Sequence, residues 1–186
     1  IICLILAFPI FMILAYNHFD HVKIRIDNFV DGKTYQIAKS LQSFESGGFW
    51  GKGPGEGFYK KSLPDAHSDF VFAVAAEEYG AFICCFIIII YGLIIFRSFL
   101  LTLKNTNLFF ILSVSGLAFQ LGLQSLIHMA SNTDLIPPKG MTLPFLSYGG
   151  SSILASAITA GILLSLTKKN NSLEPIRRQS DIRGKQ

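Results

Sequence analysis

The sequence predicts an all-α polytopic membrane protein: four transmembrane helices and one large extracytoplasmic loop. Two observations lead there. Apolar residues make up 51% of the 186 residues and gather in long uncharged runs, for which a soluble core has no use. Asp, Glu, Lys and Arg contribute only 15%, mostly between Asp20 and Asp69 and after Thr167, so the charge map doubles as a topology map.

The first predicted span is 1–16, with Pro9 as a kink. It begins with Ile1 and carries neither a basic start nor a small-residue cleavage site, so it reads as an entry into a longer protein rather than a signal peptide. The second span is 70–96, with Glu77 and Glu78 near its start; the third is 108–127; the fourth, 146–167, falls in the charge-free stretch Gly140 to Thr167. Ser152, Ser156 and Ala160 form a small-residue stripe on it, a packing signal. Lysines and arginines between Arg97 and Lys104 and in the tail from Lys168 to Lys185 place both on the cytoplasmic side, the C-terminus included. Loops 17–69 and 128–139 then face outward. The tail, 170–186, is polar and predicted to be disordered.

Composition excludes other classes. The net charge of +4 comes without a basic, aromatic-interleaved stripe, so nucleic acid is not an expected partner. Cys3, Cys84 and Cys85 lie in apolar runs at spacings that suggest neither a metal site nor a disulfide.

Chemistry concentrates in the two outer loops. Gly51, Gly53, Gly55 and Gly57 alternate with Lys52, Pro54 and Glu56. Such a run is either a turn returning the chain to the membrane or a set of exposed N–H groups that holds an anion. Asp65, His67 and Asp69 supply ionisable groups where the loop meets the second span. One of them is a general base, or Ser68 or Asp69 is simply the helix N-cap. Glu77 and Glu78 lie about two turns into an apolar segment, so at least one faces a protein interior or a hydrated cavity, unless both are interfacial. Lys139 is the only basic residue between Lys104 and Lys168; it suits a phosphate or pyrophosphate, or else snorkels at the interface.

The segments GKGPGEG (51–57), LPDAHSDFVFAVAAEEYG (63–80) and PPKGMTLPFLSYGGSS (137–152), in this order between hydrophobic spans, closely resemble the SEDS family (FtsW/RodA/SpoVE), in its division-type form. The resemblance runs from Lys23 to Thr167. It implies that the four spans correspond to the last four of a ten-helix fold in the bacterial plasma membrane. It also implies an inverting peptidoglycan glycosyltransferase that polymerises lipid II, carried on undecaprenyl pyrophosphate, during cell division. Asp69 then resembles the essential aspartate and is the expected base; Lys139, His67, Ser68, Glu77, Glu78, Ser147, Gly149 and Gly150 are expected to bind substrate. A divalent cation, Mg or Mn, is an expected cofactor, and a single-pass class B penicillin-binding transpeptidase with other divisome proteins the expected partners. Ser68 stands where the family more often has threonine, and His128 and Asp134 also depart from its pattern. Two rivals stay open: a lipid II flippase, and an inactive fragment that serves as a division scaffold.

Overall fold

The computed structural model describes residues 9, 11, 14–31 and 35–183. The predicted span 1–16, with Cys3 and the expected Pro9 kink, lies largely outside them. Among the described residues the chain is all-helical: α1 (Asp20–Val30), α2 (Tyr35–Gly47), a short 3-10 turn (Tyr59–Lys61), α3 (Val71–Leu103), α4 (Leu108–Asn132) and α5 (Gly150–Arg183). Three stretches, α3, α4 and 150–168 of α5, are long and apolar enough to cross a membrane.

The loop expected over 17–69 contains two helices. α2 escapes a hydropathy reading because its inward face, Ile37, Ser40, Ser43 and Gly47, is mostly small and polar; its three-to-four spacing is nevertheless helical. α2 packs on α3, α3 on α4, and α4 on α5. Phe72, Ala76, Cys84, Ile87, Tyr91, Leu121 and Leu143 form the main core. Phe82, Phe86, Leu93 and Phe119 remain exposed, as suits helices that face lipid or further helices.

Helix boundaries differ from the predicted ones for local reasons. α3 continues past Arg97 to Leu103 because Phe99, Leu100 and Leu101 extend the apolar run, and a long basic side chain is tolerated near a helix end. The connection to α4 is therefore short, and Asn107 ends it by accepting a hydrogen bond from Phe109 N at 3.1 Å as the N-cap of α4. α5 starts at Gly150 rather than 146, since residues 143–147 close a turn. Ser147 N donates to Leu143 O at 3.0 Å and Leu143 N to Ser147 Oγ at 2.8 Å. α5 then runs through the tail expected to be disordered, as far as Arg183.

α3 is broken at Gly80, whose φ is +78°. The glycine loop of residues 47–53 enters the break and replaces the helix's own hydrogen bonds. In a continuous helix Ala81 N and Phe82 N would bond to Glu77 O and Glu78 O. Here they donate to Gly48 O at 2.9 Å and Phe49 O at 3.4 Å, while Lys52 N and Gly53 N take the vacated carbonyls at 3.0 and 2.9 Å. A Cβ at Gly80 would stand 2.3 Å from Phe49 O, and one at Gly51 2.3 Å from Glu78 O. Only glycine permits this approach, and the exchange pairs the four groups that the break frees.

Candidate active site

Of the two alternatives for the glycine run, the turn is the one realised. The loop does turn the chain back, and N–H groups just after it do hold an anion, but that anion is the protein's own Glu77. Its Oε1 accepts from Phe58 N at 2.7 Å and Tyr59 N at 2.9 Å, and its Oε2 from Lys60 N at 3.1 Å. Glu77 is fully buried, and three charge-assisted bonds offset its desolvation. Glu78 forms an ion pair with Lys60, which also donates to Gly55 O at 2.9 Å. Both glutamates, expected to bind substrate, are engaged by the loop: backbone amides take most of the acceptor capacity of Glu77, and Glu78 is paired with Lys60.

Asp69 is in a different position. α3 has Phe70 at its N-cap, with no side-chain bond, so neither Ser68 nor Asp69 caps it. Ser68 Oγ donates to Asp65 O at 3.3 Å, closing a turn in which Asp65 adopts φ +53°. The Asp69 carboxylate, half-buried, receives no hydrogen bond or ion pair from a described residue. It lies against the second outer loop: a Cβ on Gly140 would be 3.0 Å from Asp69 Oδ2. Gly140 has φ +58°, and this close approach explains why a glycine follows Lys139. Lys139 itself is exposed and makes no ion pair with a described residue. The fold thus brings the aspartate and the lysine-bearing segment together across some seventy residues of sequence.

The rest of the second motif packs beside them. Tyr148 N donates to His67 O at 2.9 Å, and the two rings meet edge to face at 5.5 Å. Ser147 is buried, its hydroxyl accepting from Leu143 N. Gly149 abuts Ser152 and Thr142, whereas Gly150 has open space around it. Two cavities flank this segment. One, about 480 Å³, is bordered by Lys60, His67, Ser147 and Tyr148 together with Val71 and Ile153. The other, about 510 Å³, lies between α4 and α5 under Gly140 and is lined by Gln120, Gln124, Ser152, Ser156 and Thr159. Phe145 adopts φ +65° between them, a strained state for a bulky residue that surrounding structure has to enforce.

Sequence reasoning passed over Asn132. It is fully buried at the C-terminal end of α4. Its Oδ1 accepts from Ala73 N at 3.2 Å, capping α3 from another helix, and its Nδ2 donates to Asp69 O at 3.0 Å. His128, one turn earlier and also buried, places Nδ1 2.5 Å from Met141 O. Since a carbonyl only accepts, Nδ1 carries the proton; Nε2 has no partner among the described residues. The available signal was an uncharged Asn one helical turn after a His at the mouth of a span, and polar residues there need partners.

The chain is 41% identical over 158 residues to the probable peptidoglycan glycosyltransferase FtsW of Caulobacter vibrioides, covering 83% of this chain and 40% of the relative. It is 35% identical over 171 residues to the peptidoglycan glycosyltransferase RodA of Mycobacterium bovis, covering 89% and 36%. Among solved structures it matches one of a peptidoglycan synthase complex that coordinates polymerization and crosslinking, with a TM-score of 0.69 at 27% identity, over 90% of this chain and 49% of that one. It also matches an aspartate-to-alanine variant of the rod shape determining protein RodA of Thermus thermophilus, with a TM-score of 0.54 at 34% identity, over 72% and 41%. The chain thus spans less than half the length of these relatives. The model of the FtsW/RodA/SpoVE family, described as cell cycle protein, matches residues 1–172, and with three membrane-crossing helices arranged as in those structures the chain is a multi-pass membrane protein that belongs to this family.

Proposed function

We propose that the chain forms part of an inverting peptidoglycan glycosyltransferase that polymerises lipid II in the bacterial plasma membrane. The observation that carries the reading is the Asp69 carboxylate: half-buried, without a hydrogen-bond or ion-pair partner among the described residues, and pressed against the Lys139–Gly140 segment. Asp69 takes the proton from the acceptor's 4-hydroxyl as that oxygen attacks the anomeric carbon of the donor. The bond from that carbon to the pyrophosphate oxygen breaks on the opposite face, and undecaprenyl pyrophosphate leaves with both bonding electrons. Lys139 offsets the charge that grows on the departing pyrophosphate. His67, Ser147 and Tyr148 border one cavity beside this centre, and the open space at Gly150 leaves room for the acceptor's approach.

A divalent cation is the expected helper for charge neutralisation, yet no group of three His, Cys, Asp or Glu is placed to hold a metal ion among the described residues. Glu77 and Glu78 are engaged by the loop, so among the described residues they form no free carboxylate pair for such an ion. The same engagement weighs against a flippase, which would need ionisable groups free near the bilayer midplane. In this reading the outer loops face the cell exterior and the C-terminus the cytoplasm. A single-pass class B penicillin-binding transpeptidase crosslinks the product alongside other divisome proteins.

The test is polymerisation of lipid II by the full-length protein with its transpeptidase, comparing the native protein with Asp69→Asn and resolving glycan strands on a gel. Strands from the native protein and none from the folded variant are expected. Equal strands from both would remove Asp69 as the base. Strands from neither would leave transport or scaffolding as the better reading.

A further inference from the structure

We propose that Asn132 is a positioning residue for the transfer reaction, fixing the Asp69 main chain against the loop that carries Lys139; this rests on the reading of Asp69 as the base. Burying an amide in a membrane protein is unfavourable unless each polar atom is satisfied, and Asn132 satisfies its own entirely on main-chain groups. Nδ2 has two hydrogens: one goes to Asp69 O at 3.0 Å, the other to His128 O at 2.8 Å. Oδ1 receives Ala73 N at 3.2 Å. Its backbone oxygen receives Ser40 Oγ at 2.7 Å, which ties α2 to the same point. One side chain therefore bridges Asp69, two residues ahead of α3, the first turn of α3 and the last turn of α4.

The second arm is His128, which precedes Asn132 by one helical turn and faces the same side of α4. Through Nδ1 it holds Met141 O, two residues beyond Lys139. The C-terminal turn of α4 thus grips both halves of the candidate site, Asp69 through Asn132 and the Lys139 segment through His128. Gly140 shows how closely the halves meet. The bond to Asp69 O satisfies the buried amide and at the same time fixes the aspartate's main chain. Transfer rates are sensitive to the placement of the reacting groups at the ångström level, so the grip should matter to turnover more than to substrate binding.

The experiment measures kcat and KM for lipid II with full-length Asn132→Asp and Asn132→Ala, with melting temperature recorded for each and Asp69→Asn run in parallel. Asn132→Asp keeps the acceptor for Ala73 N but loses the donor to Asp69 O. A fall in kcat of roughly 10- to 100-fold, with KM within about twofold, is expected for Asn132→Asp. Native kcat per folded molecule, whether or not the melting temperature drops, would overturn the proposal. So would a rise in KM at unchanged kcat, or failure of both variants to fold, since Asn132 would then serve binding or the fold alone. If Asp69→Asn polymerises normally, the base reading fails first and takes this proposal with it; if only Asn132→Asp is normal, this proposal alone fails.

Discussion

Two carboxylates near the start of α3 face opposite surroundings. Glu77 is fully buried and accepts three backbone N–H groups from the turn at residues 58–60, whereas Asp69 is partly open and accepts none from a described residue. From the sequence both were candidates for chemistry, because each is a charge at the edge of an apolar span. The structure separates them by what their lone pairs already do. A satisfied carboxylate holds structure; an unsatisfied one beside a basic segment is available to take a proton. The comparison extends to the loops themselves. The glycine loop is inserted into a helix and pairs with the groups it displaces, while the Lys139 loop presents its cation to solvent and holds the non-glycine Phe145 at positive φ.

The sharpest way to break this contrast is at Gly80. Gly80→Ala would put a Cβ 2.3 Å from Phe49 O at a φ of +78°, so the loop must leave the break. We expect a loss of about 3 kcal/mol or more, or failure to accumulate folded protein, checked by melting in detergent. A native melting temperature would mean that the exchanged hydrogen bonds contribute little. Next comes Lys139→Ala. With no ion-pair partner among the described residues to lose, it should leave melting unchanged and lower polymerisation roughly 10- to 100-fold, with Lys139→Arg retaining part of the rate. A fall in melting temperature would make Lys139 a structural residue like Lys60. The smallest effect belongs to His128→Asn. The Asn Nδ2 stands where His Nδ1 does and can still donate to Met141 O, while the buried, unpartnered Nε2 disappears. Turnover should stay within about twofold of native, whereas His128→Leu, which cannot donate, should fall well below it.

Much of the fold was legible because a long uncharged run has few options in water. α3 and α4 follow from hydropathy alone. The break in α3 does not, since a single glycine in an apolar run carries no mark of the loop that will enter it, and that loop begins more than thirty residues earlier. α2 was hidden by serines and a glycine on its buried face, which pack closely but score as polar. At the site, Asp69 and Lys139 were visible as charges in unusual places. What hydropathy and spacing left open was which carboxylates were already engaged, because that depends on contacts between distant segments: Glu77 with residues 58–60, and Asn132 with Asp69 and Ala73. Asn132 itself was missed because an uncharged polar residue at the mouth of a span looks ordinary until its partners are known.

The most direct measurement sets Asp69→Asn beside Glu77→Gln in the full-length protein and records two quantities for each, melting temperature and lipid II polymerisation per folded molecule. Asp69→Asn should melt as the native protein does and lose at least about 100-fold in rate. Glu77→Gln replaces an anion that accepts three amides by a group with one acceptor oxygen, so it should lower the melting temperature, at a cost of about 1–3 kcal/mol for each amide left unsatisfied, and keep near-native turnover in the molecules that fold. The reverse pattern, a destabilised Asp69→Asn that still polymerises and a stable but inactive Glu77→Gln, would contradict the division of labour between the two carboxylates.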